Sequence, residues 1–371
     1  MIRVLQILHG LNRGGIETFL MNVYRHIDRN AVQFDFLVSV HYECHYTKEI
    51  ISLGGHVYDI PARREGFFKR KKALRTFFKA HKEYQIIHQH ASSLSDIMPL
   101  KAAKEAGIPM RIIHSHNTKE GGSILHKYIH WINRFFVRKY ATDFYACSGL
   151  AARWMYGYRQ YVSNDYVIIR NAIDISVFRF EKITRKRLRQ EFGINESQLV
   201  IGNIGRFHPQ KNHDFLLNVF ARIQKKCPDA QLLLVGDGVL RSHIEKMIHD
   251  LNIEANVKLL GVRTDIPQLL SMFDVLFMPS LYEGLPVTII EAQATGLTCV
   301  LSSVITSEVK VIDSLIFKSL EDNEEDWCDV VIQAACVGRS LHAGKLIAEA
   351  GYDIENVSKE LENIYTVGVN K

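Results

Sequence analysis

Four short stretches carry residue types whose spacing suits a charged, hydroxyl-rich ligand. The first is Gly205-Arg206 with Lys211 five positions on, in IGNIGRFHPQKNHDF. Two cations this close on one loop can both reach a single diphosphate. The second is Glu283-Gly-Leu-Pro-Val-Thr-Ile-Ile-Glu291, two carboxylates eight positions apart. Pro286 suits the first turn of a helix, which puts Glu291 on that helix and Glu283 on the loop before it. The N–H groups near Val287 and Thr288 then face an anion. Carboxylates beside an anion make sense as acceptors for hydroxyls, such as those of ribose and sugars. The third is Gly14-Gly15, which lets backbone N–H groups approach a phosphate at a helix start. The fourth is His114-Ser-His116, whose histidines share one face of a strand and can both point into a cleft.

Each stretch also has a plain reading: a solvated basic loop, a capping and a surface Glu, a tight turn, and structural histidines. The elements around them favour function. Short apolar runs alternate with helical patterns along the chain. Strands are predicted at Arg3–His9, Phe34–Val40, Gln85–His90, Arg111–His114 and Phe144–Ser148. A second series is predicted at Leu199–Ile204, Gln231–Val235, Val257–Leu260, Val275–Met278 and Thr298–Leu301. Helical patterns lie between them, at 212–226, 239–251, 265–272 and 287–296 in the second series, and again at 340–366. Strand–helix alternation argues for parallel α/β layers. In such sheets ligands bind at the carboxyl ends of strands. Gly205 and Glu283 each fall just after a predicted strand, and His114-Ser-His116 closes one.

The chain has 371 residues, 47% hydrophobic and 23% charged. That length suggests about two domains, and that composition excludes disorder, collagen and coiled coil. No apolar run is long enough to span a membrane. The opening MIRVLQILHG reads as a strand rather than a signal peptide. The six cysteines are widely spaced, without Cys-x-x-Cys, which points away from a disulfide scaffold or zinc site and toward the cytosol. Residues 1–180 hold 26 Lys+Arg against 14 Asp+Glu, whereas residues 181–371 hold 20 against 26. A basic first half and an acidic second half suggest domains with different partners. The expected domains are 1–180 and 181–371, with the last helix free to pack back on the first.

Much of the positive charge falls in Arg63–Lys82. Lys69, Arg70, Lys71 and Lys72 are interleaved there with Phe67, Phe68, Leu74, Phe77 and Phe78. Helical spacing sets Phe67, Leu74 and Phe78 on one side, with cations flanking them. That is the pattern of a helix lying on an anionic membrane surface; the alternative is a domain helix with its aromatics in the core. No motif for binding nucleic acid accompanies the charge.

Six segments, GGIETFL (14–20), NAID (171–174), GRFHPQK (205–211), VGDG (235–238), LLGVRTDI (259–266) and EGLPVTIIEAQATG (283–296), occur in that order. Together they resemble the retaining glycosyltransferases of family 4, most closely those of bacterial exopolysaccharide and capsule synthesis, over about residues 1 to 310. Ala172 stands where the family often has Gly. The resemblance implies two facing Rossmann-like domains, the GT-B fold, with a donor cleft between them and an acceptor-binding N-terminal domain. It implies a nucleotide diphosphate sugar as donor substrate, UDP-linked in preference to GDP-linked, with no separate cofactor and with retention of configuration. By the same resemblance Gly205, Arg206 and Lys211 hold the diphosphate. Glu291 takes the ribose hydroxyls, and Glu283, with Gly284, Leu285, Pro286, Val287 and Thr288, takes the donor sugar and adjoining phosphate. The backbone of Gly261, Val262 and Arg263 frames the base, and Gly14 and Gly15 close on the diphosphate. A histidine belongs near the transferred sugar: first His116, followed by Asn117 much as the family's histidine is followed by Asp, and second His114. No Asp-x-Asp triplet is present to anchor a metal, so none is expected. The expected acceptor is a glycan carried on a lipid, met by a cytoplasmic enzyme resting on the inner face of the plasma membrane. Two rivals are a nucleotide-sugar epimerase of the same fold and a non-catalytic binding protein for glycan or nucleic acid.

Overall fold

The computed structural model describes residues 1–12, 14–118, 123–283 and 285–369. The chain divides into two compact units, Met1–Ala172 with Gly351–Lys371, and Ile173–Ala350. The division therefore falls at 172/173 rather than at 180/181, and the C-terminal helix Ile354–Val369 belongs to the first unit.

The first unit holds one sheet of seven strands: β1 (Ile2–Ile7), β2 (Val32–Val38), β3 (Val57–Asp59), β4 (Ile86–Ala91), β5 (Met110–Ser115), β6 (Asp143–Ala146) and β7 (Val167–Ile168). Their order is β3-β2-β1-β4-β5-β6-β7, and every pair is parallel. The run VQFDFLV of β2 is buried at all its positions, as a strand covered on both faces must be. The helix Gly15–His26 and the C-terminal helix supply cover. Ile354, Val357, Leu361 and Tyr365 recur at helical spacing, and all enter the same core cluster as Phe19, Phe34 and Tyr145.

The second unit holds six parallel strands: β8 (Val200–Ile204), β9 (Gln231–Val235), β10 (Val257–Gly261), β11 (Val275–Met278), β12 (Thr298–Ser302) and β13 (Leu315–Lys318), in the order β10-β9-β8-β11-β12-β13. Leu216, Phe220 and Ile223 of the helix His213–Lys226 and Trp327 of the helix Glu324–Ala335 pack with Phe277 in its core. Both units are thus Rossmann-like α/β layers. The short strands β3, β7 and β13 and the helix Lys182–Glu191 escape the sequence pattern, the strands because two to four residues show no period.

Each sheet reverses its order once. In the first the reversal lies between β1 and β4, and in the second between β8 and β11. The loops leaving those strands diverge and leave a crevice at their carboxyl ends.

Candidate functional site

Gly205 follows β8 and Glu283 lies just beyond β11, so the cationic and acidic stretches meet at the reversal of the second sheet. Backbone bonds lace the neighbouring loops together: Gly205 N–H donates to Val235 O (2.9 Å), Phe207 N–H to Asp237 O (3.0 Å) and Gly236 N–H to Gly261 O (2.8 Å). Gly236 sits at φ 137°, and a Cβ there would lie 2.0 Å from Gly205 O, so only glycine fits. A one-turn 3-10 helix, Pro209–Lys211, ends at Asn212 in the left-handed region (φ 56°) and turns Lys211 back over Gly205.

Lys211 Nζ donates to Glu283 Oε1 at 2.6 Å. Gln210 Nε2 donates to Glu283 Oε2 (3.1 Å) and to Tyr282 O (2.9 Å), and Leu281 N–H returns a bond to Gln210 O (2.8 Å). The pair is well enclosed, 16% exposed at Lys211 and 8% at Glu283. The loops after β8 and β11 are therefore pinned to each other. Arg206 points outward, exposed, and among the described residues its side chain has no partner. Gln210 was not picked out from the sequence; an amide beside two charged residues carries no signal of its own.

Glu291 lies on the helix Val287–Ala294, whose N-cap is Pro286, one position before the first turn. Its carboxyl has no side-chain partner among the described residues, and burial pushes its pKa up to about 7. Leu285 and Pro286 are buried, and Val287 and Thr288 half-buried at the helix start. Gly284 lies outside the described residues. At the end of β10, Gly261 takes φ 65°, and Val262 is exposed. The guanidinium of Arg263 is held by both oxygens of Asp265 at 2.6 and 2.8 Å.

In the first unit, His114 and His116 do not stand alone. His88 and His90 on β4 repeat the His-x-His spacing, and β4 and β5 pair His90 with His114. The four rings stack on one face of the sheet, with centroids 4.0 to 5.3 Å apart. His90 Nδ1 meets His116 Nε2 at 2.8 Å, and His90 Nε2 meets Gln6 Oε1 of β1 at 2.8 Å. His88 Nε2 meets His114 Nδ1 at 3.2 Å, and His88 Nδ1 meets the Tyr365 hydroxyl at 2.7 Å. Burial, then mutual repulsion, holds His88, His90 and His114 well below the ordinary histidine range, and burial alone takes His116 down to about 3. All four are neutral. His114 is wholly enclosed, whereas His116 reaches the surface with 9% exposure. His114 therefore lines the interior rather than an open cleft. The matching spacing in HQH (88–90) was the signal available for the second pair.

Ring nitrogens of His88, His90 and His114 lie within 4.8 Å of one another. Ligands about 2.0–2.1 Å from a zinc ion would sit about 3.3 Å apart. These nitrogens already bond each other, Gln6 and Tyr365, so the cluster fits a hydrogen-bond network better than a metal site.

Gly14 is the N-cap of the helix Gly15–His26 with an extended backbone (φ −158°), and the space where a Cβ of Gly15 would stand is open. A cavity of about 510 Å³ lies at the carboxyl ends of β1 and β4, lined by His9, Glu17, Arg63, Arg64, His90 and Ser93 among others. The basic stretch departs from expectation. In the helix Phe67–Ala80, Leu74 and Phe78 are core residues at 0% and 1% exposure. Arg70 is buried too, bonding Ser39 Oγ, Pro61 O and Asp96. The face expected to lie on a membrane is the face buried within its own unit, because Leu74 and Phe78 repeat at i, i+4 with Arg70 at i−4. Only Phe67 and Phe68 stay outside. A different helix, Ile124–Phe136, exposes Ile124, Leu125, Tyr128, Trp131, Phe135 and Phe136.

The comparisons with known proteins agree with this fold. Residues 13–177 match the family model described as Glycosyltransferase Family 4, and residues 184–329 match Glycosyl transferases group 1. The chain is 35% identical to EpsF of Bacillus subtilis (strain 168), whose name gives it as a glycosyltransferase, over 100% of this chain and 97% of that one. It is 29% identical to the UDP-Gal:alpha-D-GlcNAc-diphosphoundecaprenol alpha-1,3-galactosyltransferase of Escherichia coli, over 65% of this chain and 64% of that one. In fold it is similar to Anabaena Alr3699/HepE, solved in complex with UDP and glucose, with a TM-score of 0.77 at 17% identity, covering 99% of this chain and 100% of that one. A glycosyltransferase from Rickettsia africae is similar to the same degree, with a TM-score of 0.79 at 15% identity, covering 100% of this chain and 99% of that one.

Proposed function

The chain belongs to the family 4 glycosyltransferases of the GT-B fold, and from that premise we propose that it transfers a hexose, with retention of configuration, from a UDP-sugar to a glycan on a lipid diphosphate. The observation that carries this reading is the meeting of Lys211, Gln210 and Glu283 at the reversal of the second sheet, with Arg206 beside them. A departing nucleoside diphosphate gains negative charge as the sugar–oxygen bond breaks. Arg206 is exposed to receive it. Lys211, held by Glu283, exchanges that carboxylate for a phosphate oxygen, leaving Glu283 and Gln210 to accept and donate to sugar hydroxyls. Charge-assisted bonds of this kind contribute about 1.5–3 kcal/mol each, more than the ~0.3–1 kcal/mol of the helix start at Pro286. Two cations and a helix start suffice without a metal, in keeping with the missing Asp-x-Asp triplet. Glu291, half-buried and without a side-chain partner among the described residues, suits ribose hydroxyls.

The UDP preference draws support from HepE, solved with UDP and with UDP-glucose, and from the galactosyltransferase relative. That relative acts on a diphosphoundecaprenol-linked sugar by its name, which supports a lipid-diphosphate acceptor here. So does the apolar, aromatic face of Ile124–Phe136, whose helix holds Lys127 and Arg134 and no acidic residue. Such a helix suits an anionic membrane surface, and the cavity lined by Arg63, Arg64 and His126 of that helix suits a phosphate. The role is exopolysaccharide or capsule synthesis at the inner membrane face.

A thermal-shift screen of nucleotides and nucleotide sugars tests the donor. A ligand at 100 times its Kd stabilises the native state by about 2.7 kcal/mol. UDP and one UDP-sugar should raise Tm, and stabilisation by GDP alone would overturn the donor assignment. Release of UDP only when an undecaprenyl-diphosphate sugar is added would support transfer. Interconversion of the donor sugar without acceptor would favour an epimerase.

A further inference from the structure

The second unit encloses more positive charge at one place than its own carboxylates cancel. Arg185 and Arg189 share a single close partner, Asp274, at 2.6 and 2.7 Å, and their side chains are only 16% and 1% exposed. Glu196 approaches Arg185 at 3.7 Å from the solvent side, 57% exposed. Arg339 is the third guanidinium here, and among the described residues it has no carboxylate partner. Its Nη1 donates to Thr295 O (3.1 Å) and Oγ1 (3.0 Å). Its Nη2 donates to Leu270 O (2.7 Å), Ser271 O (3.1 Å) and Phe273 O (2.7 Å). All three arginines reach carbonyls of residues 270–273, where the helix Ile266–Met272 ends. Carbonyls satisfy a guanidinium's hydrogen bonds without cancelling its charge. A helix end, equivalent to about half an elementary charge, and Asp274 together offset about half of the three.

Arg339 stands in the wall of a cavity of about 520 Å³. Arg179, Ser340, His342 and Lys345 line it too, and among the described residues no carboxylate does. Arg179 and His342 are exposed, with no side-chain partner among the described residues. Lys345 meets Glu349 one turn on at 3.6 Å, an exposed pair that holds it weakly. A concave surface lined by one sign of charge concentrates counter-ions beyond what the same charges do on a flat face. The carbonyls that would repel an anion, at Thr295 and at residues 270–273, are already engaged by Arg339.

This cavity is not the diphosphate site beside Lys211. Thr295 ends the helix Val287–Ala294, whose start adjoins Glu283 in the chain. Eight residues at a rise of about 1.5 Å set the two ends about 12 Å apart.

We propose that the cavity is a second anion site, one that takes inorganic phosphate or pyrophosphate between Arg179, Arg339, Ser340 and Lys345. Arg179 offers an uncommitted fork of N–H donors to two phosphate oxygens, and Lys345 a compact charge to a third. The site stands independently of the transferase reading. Its walls come from Ile175–Phe180 and Arg339–Lys345, near the two ends of the unit Ile173–Ala350. A bound phosphate therefore ties the segment by which the chain enters that unit to the one by which it leaves.

Calorimetric titration of the full-length protein with inorganic phosphate, and separately with pyrophosphate, at ionic strength held constant with sodium chloride, reads the site. One anion per chain should bind with a Kd at or below about 1 mM, and no binding up to about 10 mM would overturn the proposal. Arg179→Gln combined with Lys345→Gln, both at exposed side chains, should raise that Kd about tenfold. Arg206→Ala, on the loop after β8, should change it by less than about twofold. Loss of binding in Arg206→Ala with retention in the Arg179–Lys345 double variant would place the anion at the donor loop and overturn the second site. Ser340→Asp sets a carboxylate inside the cavity and should abolish binding; if that variant does not fold, the double variant decides. A rise in Tm matched by sodium chloride of equal ionic strength would be screening alone and would also overturn the site.

Discussion

At the scale of the residue, Lys211 and Glu283 are useful to each other before they are useful to a ligand. Removing the lysine alone leaves a carboxylate at 8% exposure without its cation, which costs about 1–3 kcal/mol. Lys211→Met should therefore lower both stability and turnover, whereas Lys211→Met with Glu283→Gln should recover stability and not turnover. Chemical denaturation beside a transfer assay separates the two effects. Arg206→Ala, at an exposed side chain, should leave denaturation unchanged and reduce kcat by about 10²–10³; a near-normal rate would remove Arg206 from the diphosphate. Glu291 offers a pH signature. Burial disfavours the charge and pushes its pKa from the ordinary 4.5 up to about 7 in the folded chain. Between those values the unfolded chain binds fewer protons, so stability falls as pH rises through that window. Glu291→Gln should flatten that fall by up to about 3 kcal/mol, and an unchanged slope would show that the carboxyl is not perturbed.

At the scale of the element, two amphipathic helices of the first unit differ in which apolar side chains they bury. The helix Phe67–Ala80 turns Leu74 and Phe78 inward. Leu74→Ala should cost about 2–5 kcal/mol and Phe78→Ala about 3–5 kcal/mol, while Phe68→Ser, at 82% exposure, should move stability by less than about 0.5 kcal/mol. Helical spacing shows that Leu74 and Phe78 share a face; it does not say whether that face meets a sheet or a lipid. Both are apolar surfaces, and only the neighbour distinguishes them. The helix Ile124–Phe136 answers from the other side. Leu125 and Phe135 are 64% and 83% exposed, too large an apolar face to leave to water without a purpose. Substituting both with Ser should release the protein from vesicles containing anionic lipid, whereas Lys69, Lys71 and Lys72 changed to Gln should leave co-sedimentation largely intact. The reverse result would restore Phe67–Ala80 as the membrane helix.

At the scale of the whole molecule, binding to vesicles should weaken as salt rises, since each engaged cation contributes about 1 kcal/mol and is screened within about a Debye length. Transfer should persist in saturating EDTA, and full loss restored by magnesium would return a metal to the diphosphate. Much of the fold was legible in the linear chain. The second half carried its βα rhythm openly, because parallel strands buried on both faces read as unbroken apolar runs, as at Gln231–Val235 and Val275–Met278. The candidate residues Gly205, Arg206, Lys211 and Glu283 stand out in the sequence because loops at the carboxyl ends of strands keep their charged residues in short, ordered motifs. What pairs across distance was not legible. Gln210 meets Glu283 over 73 residues, and Gln6 meets His90 over 84. His88 meets Tyr365 across 277, from a helix that returns to the first sheet after the whole second unit. Local spacing determines which residues share a strand or a helix face, since that is geometry of the chain itself. Which faces meet, and so which histidines stack together and which carboxylate lacks a side-chain partner, is decided by packing between segments that no local pattern connects.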